Sequence, residues 1–296
     1  MGPDGGFLEV GDGHRLWVAV NGQGAPVLVL HGGPGSGCSP ALRGLFDPLK
    51  HRAIYLDQRG AGKSEPARSR SANTTPHLLA DIEQLRKAMG IDAWHVFGGS
   101  WGATLALAYA EAHPERVKGM VLRSVFLGTA AELERAFLTL LPAVFPDRYA
   151  ALHAVMAGGG LPALWQAILD PDPARHRPAA LAFYRAERAL SELVPGPDLP
   201  DPGAGPWPAT PFMEAHYFAN DCFLAPGQLV GNAGRLAGIP GEIIQPLQDL
   251  LCPPATSALL AAAWPGVRVT TVPAAGHALS HPPVFEVCKI ALARLV

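Results

Sequence analysis

A serine flanked by glycines, Gly98-Gly99-Ser100-Trp101-Gly102, follows the apolar run Trp94 to Phe97 and opens the Ala-rich stretch Ala103 to Ala112. At a tight strand-to-helix turn the hydroxyl is pushed out, and the flanking glycines leave no side chains to clash with it. The helix N-terminus behind it favours developing negative charge. That is the setting of a nucleophile. A serine nucleophile needs a general base, and the base needs an orienting carboxylate, here expected in the chain order Ser, Asp or Glu, His. Of the two late histidines, His277 comes directly after the strand-like run Val267 to Val272, whereas His281 lies further out before two prolines. Glu242 opens a strand and Asp249 follows it in a loop, where a partner for the base belongs. The expected catalytic set is Ser100, Asp249 and His277.

Acyl transfer also needs donors for an oxyanion. His31-Gly32-Gly33-Pro34-Gly35 follows the strand-like Pro26 to Leu30. The N–H of Gly33 and that of Trp101 are the expected pair, each donor worth about 3 kcal/mol of transition-state stabilisation. A phosphate cradle is the competing reading, but these glycines do not fit Gly-x-Gly-x-x-Gly. Gly60-Ala61-Gly62-Lys63-Ser64 looks like the end of a P-loop, yet position 57, where that motif needs glycine, is Asp. The remaining histidines have no tight metal-ligand spacing, and His95, inside an apolar strand, is expected to be a satisfied core residue. Neither metal nor cofactor is expected.

These residues need a frame. His14 to Val20, Pro26 to Leu30, Ala53 to Leu56, Trp94 to Phe97 and Val117 to Phe126 read as strands, with helices over Leu78 to Met89 and Ala103 to Ala112. The alternation predicts an α/β fold, a mostly parallel central sheet flanked by helices. Residues 128–236 break it. Ala130 to Leu141, Tyr149 to Met156, Leu161 to Leu169 and Pro178 to Leu193 read as helices, and Pro195 to Pro211, with seven prolines in seventeen residues, reads as a loop. Alternation resumes with Glu242 to Gln245, Ala255 to Trp264, Val267 to Val272 and a last helix around Val284 to Val296. The expected organisation is a core of residues 1–127 and 237–296 with a helical cap, 128–236, inserted in it.

Composition limits what this frame can serve. Of 296 residues 49% are hydrophobic and 16% charged, which excludes general disorder. A net charge of −2 gives no footprint for nucleic acid or an anionic membrane. The four cysteines are scattered, no apolar run is long enough for a bilayer, and the first residues lack signal-peptide features, so a cytoplasmic protein is expected.

Three motifs together carry a resemblance. His31-Gly-Gly-Pro-Gly35, Asp57-Gln-Arg-Gly60 with Gly62 and Ser64, and Gly98-Gly-Ser-Trp-Gly102 resemble those of the proline iminopeptidases, α/β-hydrolase-fold serine peptidases. The resemblance implies removal of an amino-terminal proline through an acyl-enzyme without a cofactor, the partner being a small peptide or amide with a free amine. It also implies acidic cap residues that hold this amine. Met213-Glu214-Ala215-His216-Tyr217-Phe218 is similar to the family's Glu-Asn-His-Tyr-Phe segment, and Phe183-Tyr184-Arg185-Ala186-Glu187 to its Trp-x-x-Trp-Glu stretch. Glu214, Glu187, Phe183 and Tyr217 are thereby the expected substrate contacts. Two stretches depart from the family: Phe183 and Ala186 replace its tryptophans, which predicts an altered aromatic wall, and Pro246-Leu247-Gln248 precedes Asp249 where the family has Gly-Arg-Tyr. The alternatives are a serine esterase or amidase of the same fold, and a non-catalytic binding protein built on it.

Overall fold

Apolar side chains alternate between two faces along Ala25–Leu30: Leu28 and Leu30 join one core, Val27 and Val29 another. A strand buried on both faces requires a layer on each side of its sheet. The structure, a computed structural model, describes residues 2–194, 201–203, 205 and 207–296. Its strands are β1 (Gly6–Gly11), β2 (His14–Asn21), β3 (Ala25–Leu30), β4 (His51–Leu56), β5 (Trp94–Ser100), β6 (Val117–Val125), β7 (Gly241–Pro246) and β8 (Arg268–Val272). They form one sheet in the order β1-β2-β4-β3-β5-β6-β7-β8. β2 pairs antiparallel with β1 and β4, and every other pair is parallel. The sheet thus runs the catalytic candidates to one edge, the carboxyl ends of β3, β5, β7 and β8, where open α/β sheets bind ligands.

Helices α1 (Pro40–Arg43), α2 (Thr75–Ala88) and α3 (Trp101–Ala112) link the first six strands. Between β6 and β7 the described chain forms helices and no strand: α4 (Ala130–Glu134), α5 (Leu141–Val144), α6 (Pro146–Met156), α7 (Gly160–Ile168), α8 (Pro173–Ser191), α9 (Thr210–Phe218) and α10 (Gln228–Gly231). A π-helical turn, Arg135–Leu140, joins α4 to α5. Then α11 (Pro254–Ala263) follows β7 and α12 (Pro282–Leu295) follows β8. The apolar side of each helix decides its layer. Ile82 and Leu85 of α2, Leu105 of α3 and Leu260 of α11 pack on one face with Leu28 and Leu30. Leu42 of α1 and Val284, Cys288 and Leu292 of α12 pack on the other with Val27 and Val29.

Several elements differ from the sequence reading. β1 has no counterpart in it; this Gly-rich strand alternates exposed and partly buried residues at the sheet edge. Ala130 to Leu141 is an α-helix that widens into a π turn rather than one regular helix. Of the proline-rich loop, residues 195–200, 204 and 206 lie outside the described residues, and helix α9 already begins at Thr210. His95 is half-buried with its Nδ1 unpaired, so it is not the satisfied core residue expected.

The loop after β4 is tied into the fold by a buried ion pair. Arg59 Nε and Nη2 donate to Asp81 of α2 at 2.7 and 2.8 Å, and Nη1 donates to the Ala72 carbonyl at 2.6 Å. Both side chains of the pair are 2% exposed. Removing one partner strands a buried charge. Arg59→Met is therefore expected to cost about 3–5 kcal/mol of stability, read from urea unfolding.

Candidate active site

Ser100 ends β5 and caps α3 at φ 57° and ψ −125°, a backbone conformation that side chains rarely adopt. Its neighbours allow this because they are glycines packed against backbone. A Cβ at Gly98 would lie 2.2 Å from the Gly102 carbonyl oxygen, and one at Gly102 would lie 2.2 Å from that of Leu30. The amide of Trp101, first residue of α3, has no carbonyl one turn back within the helix to bond, which leaves it available beside the serine. Its indole is fully buried, donates from Nε1 to Gln58 Oε1 at 2.8 Å, and packs against the Tyr217 ring with centroids 4.7 Å apart.

The glycine loop after β3 lies over this turn. A Cβ at Gly32 would stand 3.6 Å from that of Ser100. His31 fixes the loop: its ring makes hydrogen bonds through Nδ1 with the Gly32 carbonyl at 2.9 Å and accepts through Nε2 from the Gln58 amide at 3.1 Å. Burial lowers the His31 pKa, which keeps Nε2 an acceptor. The Gln58 side chain donates to the His31 carbonyl at 3.0 Å. Asp57 accepts from the amides of Cys38 at 2.7 Å and Lys63 at 2.8 Å. The Asp57-Gln-Arg-Gly60 motif is thus a brace for the glycine loop and for the serine turn.

Asp249 and His277 meet from the loops after β7 and β8. His277 Nδ1 stands 2.9 Å from Asp249 Oδ2 and 3.1 Å from Oδ1. Oδ1 also accepts from the amides of Cys252 at 2.8 Å and Leu251 at 3.0 Å. Burial pushes this carboxyl up, but His277, the Cys252 amide and the Ser124 hydroxyl together hold it below its ordinary value. An ionised Asp249 sets the proton on His277 Nδ1 and leaves Nε2 as the base. Although Pro246-Leu247-Gln248 departs from the family, the loop is held through its backbone: Leu247 donates to the Val272 carbonyl at 3.0 Å and Gln248 to that of Ala275 at 2.9 Å.

Arg123 is a site residue that sequence reasoning missed. It sits in β6, buried, and donates through Nη1 to the His277 carbonyl and, at 3.0 Å, to Ser124 Oγ. A charged residue inside an apolar strand run was the available signal. The loop of His277 is further clamped to the end of α8. Ala278 donates to the Ser191 carbonyl at 3.1 Å, and His281 Nε2 stands 3.0 Å from Glu192 Oε2.

Ser100, Gly33 and Glu187 line two cavities. The larger, about 440 Å³, also carries His277, Arg123, Tyr184, Arg188 and the strip Ser36, Gly37 and Ser39. The smaller, about 40 Å³, is walled by Phe126, Phe137, Phe183 and Phe218, with Glu214 and Cys252. Trp165 backs this wall edge-on to Phe183, with centroids 5.1 Å apart. The aromatic wall is therefore built from several elements, Phe183 contributing from one of the two positions where the family's tryptophans are replaced. Tyr217 lines neither cavity. Its hydroxyl needs a partner once buried, and donates to Asn73 Oδ1 at 2.7 Å.

Glu214 is buried and hydrogen-bonded to half-buried Glu187. Its Oε2 has no partner among the described residues. Burial raises the pKa of both, and the Glu187 charge with the shared hydrogen bond drives Glu214 well above its ordinary value. Two carboxyl groups in contact cannot both ionise easily, so the pair favours sharing a proton and carries at most one net negative charge. Asp249, Cys252 and His277 have donor atoms within 4.8 Å of one another, as a metal site would. Yet burial pushes the Cys252 thiol well up, so it stays protonated, and Asp249 is committed to His277 and two amides.

Residues 25–282 match the family described as alpha/beta hydrolase fold. The chain is 42% identical over 288 residues to the proline iminopeptidase of Xylella fastidiosa, covering 94% of this chain and 92% of that protein. It is 37% identical over 291 residues to that of Neisseria gonorrhoeae, covering 95% and 92%. The solved structure of a proline iminopeptidase from Mycobacterium smegmatis superposes with a TM-score of 0.67 at 24% identity, over 98% of this chain and 97% of that one. VinJ superposes at 0.69 with 22% identity, over 98% and 97%. These two show the fold alone.

The raised glutamate pair makes a stability prediction. Between the ordinary glutamate pKa and the raised native one, the folded protein keeps a proton that the unfolded chain has released. Stability then falls as pH rises through that window, by up to about 1.4 kcal/mol per pH unit. Glu214→Gln removes this dependence. Melting temperatures of variant and wild type should coincide near about pH 4 and diverge upward, the variant becoming the more stable.

Proposed function

Since this chain belongs to the proline iminopeptidase family of α/β hydrolases, we propose that Ser100, His277 and Asp249 perform its release of amino-terminal proline from peptides. It is a serine hydrolase acting on peptides. Ser100 Oγ attacks the prolyl carbonyl carbon while His277 Nε2 takes the hydroxyl proton, and the Gly33 and Trp101 amides hold the oxyanion. His277 then delivers the proton to the leaving amine as the C–N bond breaks. Water, deprotonated by His277, opens the prolyl-Ser100 ester and frees proline. Asp249 fixes the imidazole tautomer and stabilises the imidazolium formed in each half-reaction.

The observation that carries the substrate assignment is the Glu187–Glu214 pair beside Ser100 in a phenylalanine-walled cavity. One net negative charge complements the one positive charge of a prolyl ammonium, so the occupied site buries no net charge. The apolar wall receives the pyrrolidine ring. A pair anchored to the amine also sets the distance to the scissile carbonyl, which limits cleavage to one residue from the end. Residues 128–236 act as a cap that brings these groups over the sheet edge. The protein works in the cytoplasm, a reading supported by four free cysteines and by the absence of a membrane-crossing helix among the described residues.

Proline p-nitroanilide should be hydrolysed and its N-acetyl derivative should not; equal rates on both would remove the aminopeptidase assignment. Ser100→Ala and His277→Ala should each lower kcat by at least about a thousandfold. Glu214→Gln and Glu187→Gln should depress kcat/KM for the free-amine anilide at least about tenfold more than for a neutral aryl ester. Parallel losses on both substrates would take the glutamates out of amine recognition.

A further inference from the structure

The strip Ser36, Gly37 and Ser39 that walls the large cavity at Ser100 has a second face. There it borders a cleft of about 430 Å³, lined also by Trp17, Cys38, Arg43, Asp57 and Lys63. Two cations and one carboxylate meet in this cleft, and the carboxylate is already spent. Both Asp57 oxygens accept backbone amides, from Cys38 and Lys63. Neither Arg43 nor Lys63 has a carboxylate partner among the described residues. Instead both are held on aromatic faces. Lys63 Nζ stands 4.5 Å from the Trp17 ring centroid, and Arg43 Cζ stands 5.2 Å from it and 5.5 Å from that of Tyr55. Stacking on a ring orders a cation while leaving its N–H donors free for an anion.

The direction in which a substrate must leave Ser100 points at this cleft. On the reading above, the proline ring and its amine occupy the small cavity with Phe183 and Glu214. His277, which protonates the departing nitrogen, lines only the larger cavity of the two. The rest of the peptide therefore runs through the larger cavity, along the strip that divides it from Arg43 and Lys63. We propose that these two residues form a leaving-side subsite for the terminal carboxylate of a short peptide, with Ser36 and Ser39 on its near wall. The inference rests on the aminopeptidase assignment and adds to it a selection for short peptides with a free C-terminus.

Pro-Gly, Pro-Gly-Gly and Pro-Gly-Gly-Gly, each as free acid and as C-terminal amide, test it through the acid-to-amide ratio of kcat/KM within one enzyme preparation. Proline p-nitroanilide, which has no carboxylate, serves as reference. The wild type should favour the acid of at least one length by about fivefold at low salt, and added salt should erode the preference. The doubly substituted Arg43→Gln, Lys63→Gln enzyme should bring the ratio to about one, and Arg43→Lys with Lys63→Arg should retain it. A ratio that survives the double substitution, or a wild type that cleaves the anilide but treats acid and amide alike at every length, overturns the subsite alone. A wild type that cleaves neither peptides nor anilide overturns the assignment beneath it.

Discussion

The chain must hold one serine in a backbone conformation that serine disfavours, and most of the molecule can be traced to that demand. A strained residue of this kind costs about 1–3 kcal/mol and persists only where its surroundings leave it no alternative. At Ser100 they leave none. β5 lies between β3 and β6, so the strand cannot slide. α3 starts in the next residue, with its Ala and Leu side chains from Ala103 to Ala110 buried on all sides. The Gly98–Gly102 and Gly102–Leu30 approaches admit no Cβ. The brace of His31, Gln58 and the Trp101 indole then locks the glycine loop to the same turn. Strain in one residue is thus held by the parallel sheet, by two glycines and by a buried polar network with partners from three loops.

Around the serine, burial pushes both kinds of carboxyl group upward, and their partners then drive them apart. Asp249 receives two amides, an imidazole and a hydroxyl, and stays ionised. Glu214 receives only another carboxyl group, and keeps a proton. Environments that push like groups apart in this way assign them different tasks. A carboxyl group held below its ordinary pKa suits stabilising an imidazolium, whereas the raised Glu187–Glu214 pair suits the proposed pairing with a substrate ammonium.

Much of this was legible in the residues. The Gly-x-Ser-x-Gly turn, the late Asp and His, and the alternation of strands and helices all declare themselves locally, because turn chemistry and apolar period are local properties. What stayed hidden depends on partners distant in the chain. Arg123 reads as an oddity in an apolar strand until the His277 carbonyl arrives from far along the sequence. The Tyr217 hydroxyl finds its partner in Asn73, far back along the chain, which no local pattern announces. The phenylalanine wall is assembled from β6's end, the π turn, α8 and α9, and no single segment announces it. β1 escaped because an edge strand with one wet face carries half the apolar signal of a central one.

The clamp between the end of α8 and the loop of His277 ties the proposed recognition helix mechanically to the loop of the proposed base. α8 carries Phe183 and Glu187 in its middle and is fastened to the base's loop through Ser191 and Glu192 at its end, as a lever fixed at one end to what it works. A change of side chain that tilts α8 therefore pulls on the loop of His277 as well. The opposite wall, with Leu133, Ala136 and Phe137, touches the same cavity and has no such attachment to the base's loop among the described residues. It is tied instead to the loop of Asp249, Arg135 of the π turn donating through Nη2 to the Leu250 and Leu251 carbonyls at 3.0 and 2.8 Å, so a substitution at this wall bears on the carboxylate's loop.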